Sequence, residues 1–129
     1  MGRRKVLEVE GVAHRNPIPM GVEIGGLVFS SGIMGMDPVT QEFPPDPVRQ
    51  TELMFGHVRS LLKAAGGGPE HIAKMTFFVK DDSYREHINQ EWLRMFPEEH
   101  DRPARHTFLL DLQRGMLVQC ELVAVLDGR

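Results

Sequence analysis

Two residues of opposite charge, Arg105 and Glu121, sit in stretches that otherwise read as strand, and together they suit chemistry on a small carboxylic acid. An arginine presents a planar fork of N–H donors that matches a carboxylate bidentately. A glutamate can orient a water or take its proton while the water attacks an adjacent electrophile. Glu121 falls on the outward face of its strand, among apolar residues, where burial of an unpaired carboxylate would be costly. A structural ion pair, within the chain or across a subunit interface, accounts for the same two residues. Both readings stand at this level.

Other chemistries find less support. Gly32 and Gly35 lack the third glycine and following helix of a dinucleotide site, and Gly66-Gly67-Gly68 follows a helix instead of preceding one. The six histidines are scattered; His100 and His106 flank a short charged loop but make no metal frame. Ser30 and Ser31 have no histidine near them in sequence. Cys120 is the only cysteine, which excludes an intramolecular disulfide, and its place in the last strand predicts a buried thiol facing the helices.

The elements that must hold Arg105 and Glu121 follow from periodicity. Strands are expected over Lys5–Glu10, Val22–Ile24, Leu27–Met34, Ala73–Lys80, Arg105–Asp111 and Leu117–Leu126. Asp46 and Pro47 predict the start of a helix that Gly66 closes, with Met54, Val58, Leu61, Leu62 and Ala65 as its buried stripe. Ser83 and Glu86 have capping-box spacing and predict a second helix, its stripe formed by Tyr84, Ile88, Trp92, Met95 and Phe96, stopped by Pro97. The order β-β-β-α-β-α-β-β predicts an α+β fold, a mixed or mostly antiparallel sheet with both helices on one face. The last strand is apolar on both sides, Val118, Cys120, Leu122, Ala124 and Leu126 on one and Leu117, Val123 and Val125 on the other. Two helices cover one face only, so a second copy of the chain is expected on the other.

At 129 residues, 41% hydrophobic and 26% charged, the chain reads as one soluble domain spanning 1–129. A net charge of −3 gives no pull toward nucleic acid, and the lone basic cluster, Arg3-Arg4-Lys5, is diluted by Glu8 and Glu10. No apolar run is long enough for a membrane span or a signal peptide, so the expected address is cytoplasmic.

Several segments, in order and spacing, resemble the YjgF/RidA family, also called endoribonuclease L-PSP. They are Asn16-Pro17, Phe29-Ser30-Ser31-Gly32, Asp37-Pro38-Val39-Thr40, Leu62-Lys63-Ala64-Ala65-Gly66, Thr76-Phe77-Phe78-Val79-Lys80-Asp81, Asn89, Arg102-Pro103-Ala104-Arg105 and Glu121-Leu122-Val123-Ala124-Val125. The resemblance implies a chorismate-mutase-like fold and a homotrimer with clefts between subunits. It implies cofactor-free, metal-free hydrolysis of enamines and imines of carboxylic acids to keto acids and ammonia. Arg105 then matches the family's carboxylate-binding arginine and Glu121 the glutamate associated with the hydrolytic water. Ser31 and Gly32 match the segment lining the cleft, and Asn89 an asparagine of the second helix. Two positions depart: Ile18 replaces a tyrosine and Thr107 a cysteine of the best-known deaminases. The loss of the tyrosine implies a wider or more apolar pocket and a different substrate, or a non-catalytic module that binds small carboxylates. The family's older label suggests a ribonuclease, against which the net charge and the lack of a basic-aromatic surface argue.

Overall fold

In the computed structural model, which describes residues 2–127, helix α1 (Pro47–Ala64) begins where a carboxylate and a proline meet. Asp46 Oδ1 accepts the Val48 N–H at 2.9 Å, and Pro47 fills the first helical position, where its missing donor does no harm. Met54, Val58, Leu61, Leu62 and Ala65 are fully buried. Gly66 ends the helix at φ +79°, a left-handed cap that a β-carbon would strain. Helix α2 (Arg85–Met95) buries Ile88, Trp92 and Met95. Its start departs from the expected capping box. Asp81 Oδ1 accepts both the Ser83 N–H (2.9 Å) and the Ser83 hydroxyl (2.6 Å), and Ser83 lies in a 3₁₀ turn, Asp82–Tyr84. A carboxylate accepts more strongly than a hydroxyl, so the aspartate two residues upstream caps the 3₁₀ turn, and α2 follows from Tyr84 without a side-chain cap of its own. The same bonds hold the Asp81 pKa below the usual value.

Among the described residues seven strands form one mixed sheet: β1 (Lys5–Leu7), β2 (Gly21–Ile24), β3 (Leu27–Ser30), β4 (Ile33–Met34), β5 (Ile72–Val79), β6 (Ala104–Leu109) and β7 (Val118–Val125). The order is β1-β2-β3-β7-β5-β6, with β4 also pairing β7. Only β5 and β6 run parallel. The first strand is shorter than expected because Gly11, at φ +78°, turns the chain and lets Val9 bridge Val12. The predicted strand Leu27–Met34 is broken in two. Phe29 pairs with Val123 and Ile33 with Cys120, so Ser30, Ser31 and Gly32 oppose only Leu122 and Glu121. The extra residue makes a bulge, which bends a strand and re-aims its side chains.

Both helices pack on one face, where they meet on Phe77 of β5. Its ring centroid lies 5.6 Å from that of Phe55 of α1 and 6.0 Å from that of Trp92 of α2. Val118, Cys120, Leu122 and Ala124 of β7 line the same face and are buried. Burial pushes the Cys120 thiol well above its ordinary range, which leaves it inert as a nucleophile. On the opposite face Leu27 (38%), Phe29 (40%), Phe108 (43%) and Val125 (49%) are exposed. Among the described residues no helix is long and apolar enough to cross a membrane.

A buried glutamine joins α1 to the loops before α1 and before β7. Gln50 of α1, fully buried, donates to Pro44 O (2.7 Å) and Gly115 O (2.9 Å) and accepts from Leu117 N–H (2.9 Å). Replacing it by leucine leaves those three backbone groups without partners, and Gln50→Leu is expected to cost about 2–4 kcal/mol of stability. A urea midpoint equal to wild type would contradict this.

Candidate functional site

Arg105 lies on the helix-covered side of β6, an edge strand. It pairs with Met75, itself fully buried, and directly paired residues share a face. Its guanidinium carbon sits 5.2 Å from the Trp92 ring centroid and 5.3 Å from that of Phe77. Two residues chosen from the sequence converge on it. Nη1 donates to Asn89 Oδ1 at 2.7 Å and Nε to Thr107 Oγ1 at 3.2 Å. The guanidinium has five N–H groups, so donors remain for a ligand. Arg105 is half-buried, and burial together with the adjacent Arg85 lowers its pKa. A guanidinium stays charged after any such shift, so a crowded, partly desolvated cation is left that an incoming anion would relieve.

Glu121 is elsewhere. It pairs with Thr76 and alternates with the buried Cys120 and Leu122, so it projects from the open face, opposite to Arg105. Within one chain the two do not share a cavity. Nor is Glu121 buried; it is exposed, because the face it stands on is uncovered. It lines an open depression of about 280 Å³ with Phe29, Ser30, Lys74, Thr76 and Val123. The bulge shapes this wall. Ser30 Oγ accepts the Leu122 N–H at 2.8 Å, while Ser31 N–H turns away to Met20 O at 2.9 Å. That bond ties the loop carrying Ile18, 48% exposed, to the bulge. At Gly32 a β-carbon would lie 2.3 Å from Gln119 Nε2, so the glycine lets Gln119 pack against the chain.

The seven residues chosen from the sequence therefore form two groups. Arg105, Asn89 and Thr107 stand at the β6 edge, and Glu121, Ser31, Gly32 and Ile18 gather around the bulge.

The family model described as Endoribonuclease L-PSP matches residues 12–126. The chain belongs to the YjgF/RidA, or endoribonuclease L-PSP, family. Among relatives of this RidA-type chain, a RutC family protein of Haemophilus influenzae is 32% identical over 112 residues, 84% of this chain and 86% of that one. The 2-iminobutanoate/2-iminopropanoate deaminase of Escherichia coli is 30% identical over 111 residues, 84% and 87% of the two chains. The crystal structure of E. coli TdcF with bound serine superimposes with a TM-score of 0.84 at 30% identity, covering 94% of this chain and 98% of that one.

Three further residues stand beside the candidate positions and were not singled out from the sequence. Arg85 precedes Asn89 by one helical turn and donates from Nη2 to Thr107 O at 3.4 Å while pairing with Asp82; the four-residue spacing was the available signal. His106 was weighed only as a metal ligand with His100. It lies on the open face, in register with Thr76, which in turn pairs with Glu121, and its ring centroid is 4.1 Å from that of Phe108. Gln119 is the third. Among the described residues no group of three or more His, Cys, Asp or Glu is placed to hold a metal ion.

Proposed function

We propose that this RidA-family chain hydrolyses reactive imino and enamino carboxylic acids to keto acids and ammonia, in clefts formed between copies of itself. The observation that carries the reading is the placement of the two charges. Arg105 stands at a sheet edge and Glu121 on an uncovered apolar face, so a second copy laid on that face can bring one toward the other. A monomer rarely leaves such a face wet, and a closed ring, a trimer in this family resemblance, gives every copy the same pair of contacts. The relative named as an iminobutanoate and iminopropanoate deaminase, and the serine held by TdcF, support a small amino or imino acid as ligand.

In this reading Arg105, aimed by Asn89 and Thr107, grips the substrate carboxylate. Glu121 of the neighbouring copy takes a proton from water as the water oxygen bonds to the iminium carbon, and the C=N π pair moves to nitrogen. The proton returns from Glu121 to the amine. The C–N bond then breaks as the hydroxyl oxygen forms C=O, ammonia departs, and the hydroxyl proton goes to solvent. An enamine enters after protonation at carbon. A protonated imine is already strongly electrophilic, so positioning and a weak base suffice.

Mixing tests the shared site directly. Arg105→Ala and Glu121→Ala chains, each expected to be strongly impaired alone at substrate well below KM, are unfolded together, refolded and assayed under that condition on imino acids generated by an amino-acid oxidase. Random assembly gives about a quarter of clefts an intact Arg105 from one copy and an intact Glu121 from the next, and activity returns in that proportion. A mixture as inactive as its parents, with oligomers of wild-type size, rejects the shared cleft. Wild type that binds small carboxylates yet never exceeds the buffer rate rejects catalysis and leaves a binding module.

A further inference from the structure

Beside the bulge lies a second, more enclosed cavity of about 180 Å³, and its lining has two characters. Met34, Met36, Phe43 and Met116 give it an apolar body. His14, Arg15, Asn16, Arg114 and Gln119 add polar and cationic groups to its wall. His14 Nε2 is buried and has no hydrogen-bond partner among the described residues, a state that costs free energy unless a ligand meets it. Arg114 holds a left-handed backbone conformation at φ +63°, followed by Gly115 at φ +86°. A non-glycine residue pays strain there, and the turn is kept in place by the bond from Gln50 to Gly115 O. The sequence puts an arginine where glycine would fit best.

Gln119 ties this cavity to the proposed site. It forms part of the cavity wall and packs against Gly32. It also lies two residues before Glu121 on the same face of β7, about 7 Å along the strand. That separation suits the stem of a five- or six-carbon acid.

We propose that this cavity receives the substrate's side chain, and that the substrate is an imino or enamino dicarboxylic acid with an unbranched stem. The inference rests on the deaminase reading and deepens it. The methionines and Phe43 take the methylenes, since thioether side chains adapt to a flexible apolar chain. Arg114 and the unpartnered His14 nitrogen meet the distal carboxylate. A lone methyl group would leave the cavity unfilled.

The product keto acids read the cavity without turnover. Pyruvate, 2-oxohexanoate and 2-oxoadipate are titrated calorimetrically into the full-length protein. A charge-assisted contact at the far end makes 2-oxoadipate bind about tenfold or more tighter than 2-oxohexanoate, which matches it in length. Arg114→Gly removes that ratio, leaves pyruvate affinity within about twofold, and raises the urea midpoint because glycine relieves the left-handed turn. His14→Gln, which keeps a polar group, lowers the ratio less than His14→Phe. Equal binding of the two six-carbon acids, or a ratio that survives Arg114→Gly, overturns the inference while pyruvate binding and imine hydrolysis leave the deaminase reading standing. Failure of all three acids to bind, with no acceleration of imine hydrolysis, removes both.

Discussion

Glu121→Gln is expected to lower kcat for imino acid hydrolysis by about 10²–10³-fold, within the range of a lost general base, with KM nearly unchanged. The amide keeps the shape of the side chain and cannot take a proton from water. Because Glu121 is exposed in the single chain and away from the buried core, the variant should keep wild-type stability within about 0.5 kcal/mol. The check is a saturation curve of keto-acid release above the buffer rate, run beside a denaturation curve. A variant with full kcat would show that water needs no carboxylate here, and the glutamate would revert to a solvated charge on an interface.

Arg105→Ala should act on binding instead. Loss of a bidentate charge-assisted contact to a carboxylate is expected to reduce kcat/KM by about 10²–10³-fold, mostly through KM. Arg105→Lys should recover little, since an ammonium lacks the fork that Asn89 and Thr107 hold in place. Stability should fall by only about 1–2 kcal/mol, the worth of the contacts with the Phe77 and Trp92 rings. Discrimination between the two roles comes from the substrate. An imine without a carboxylate should be hydrolysed equally slowly by wild type and Arg105→Ala, but still more slowly by Glu121→Gln. If Arg105→Ala matches wild type on imino acids, the guanidinium is structural.

What could be read from the sequence tracks how local the cause is. The alternation in β7 assigned Cys120 to the helix side and Glu121 to the other, because period two is a property of each strand alone. The stripes of α1 and α2 were equally plain. Asn89 and Thr107 were named through family likeness, and their contact with Arg105 appears only when α2 lies over β6. That Arg105 and Glu121 occupy opposite faces depends on the parallel register of β5 with β6, which joins residues 30 apart. Nothing near either residue reports it. The bulge at Ser30–Gly32 was hidden for the same reason: apolar residues on both sides of Ser30-Ser31-Gly32 look like one strand until its partner is seen to be a residue shorter. The cap at Asp81 was a contest between two good acceptors, which hydrogen-bond strength decides and spacing does not.

The position of β7 has a consequence for how the molecule is made. It follows every other strand in sequence yet lies between β3 and β5, pairing both. Until residues 118–125 leave the ribosome, the nascent chain holds two separate half-sheets, each with a raw edge where β7 belongs. Closing them requires contacts of long sequence separation, a slow kind of folding that exposes aggregation-prone surface meanwhile. Ribosome-stalled chains ending before residue 118 should therefore be protease-sensitive throughout, and protection should arrive in one step as the missing central strand slots in.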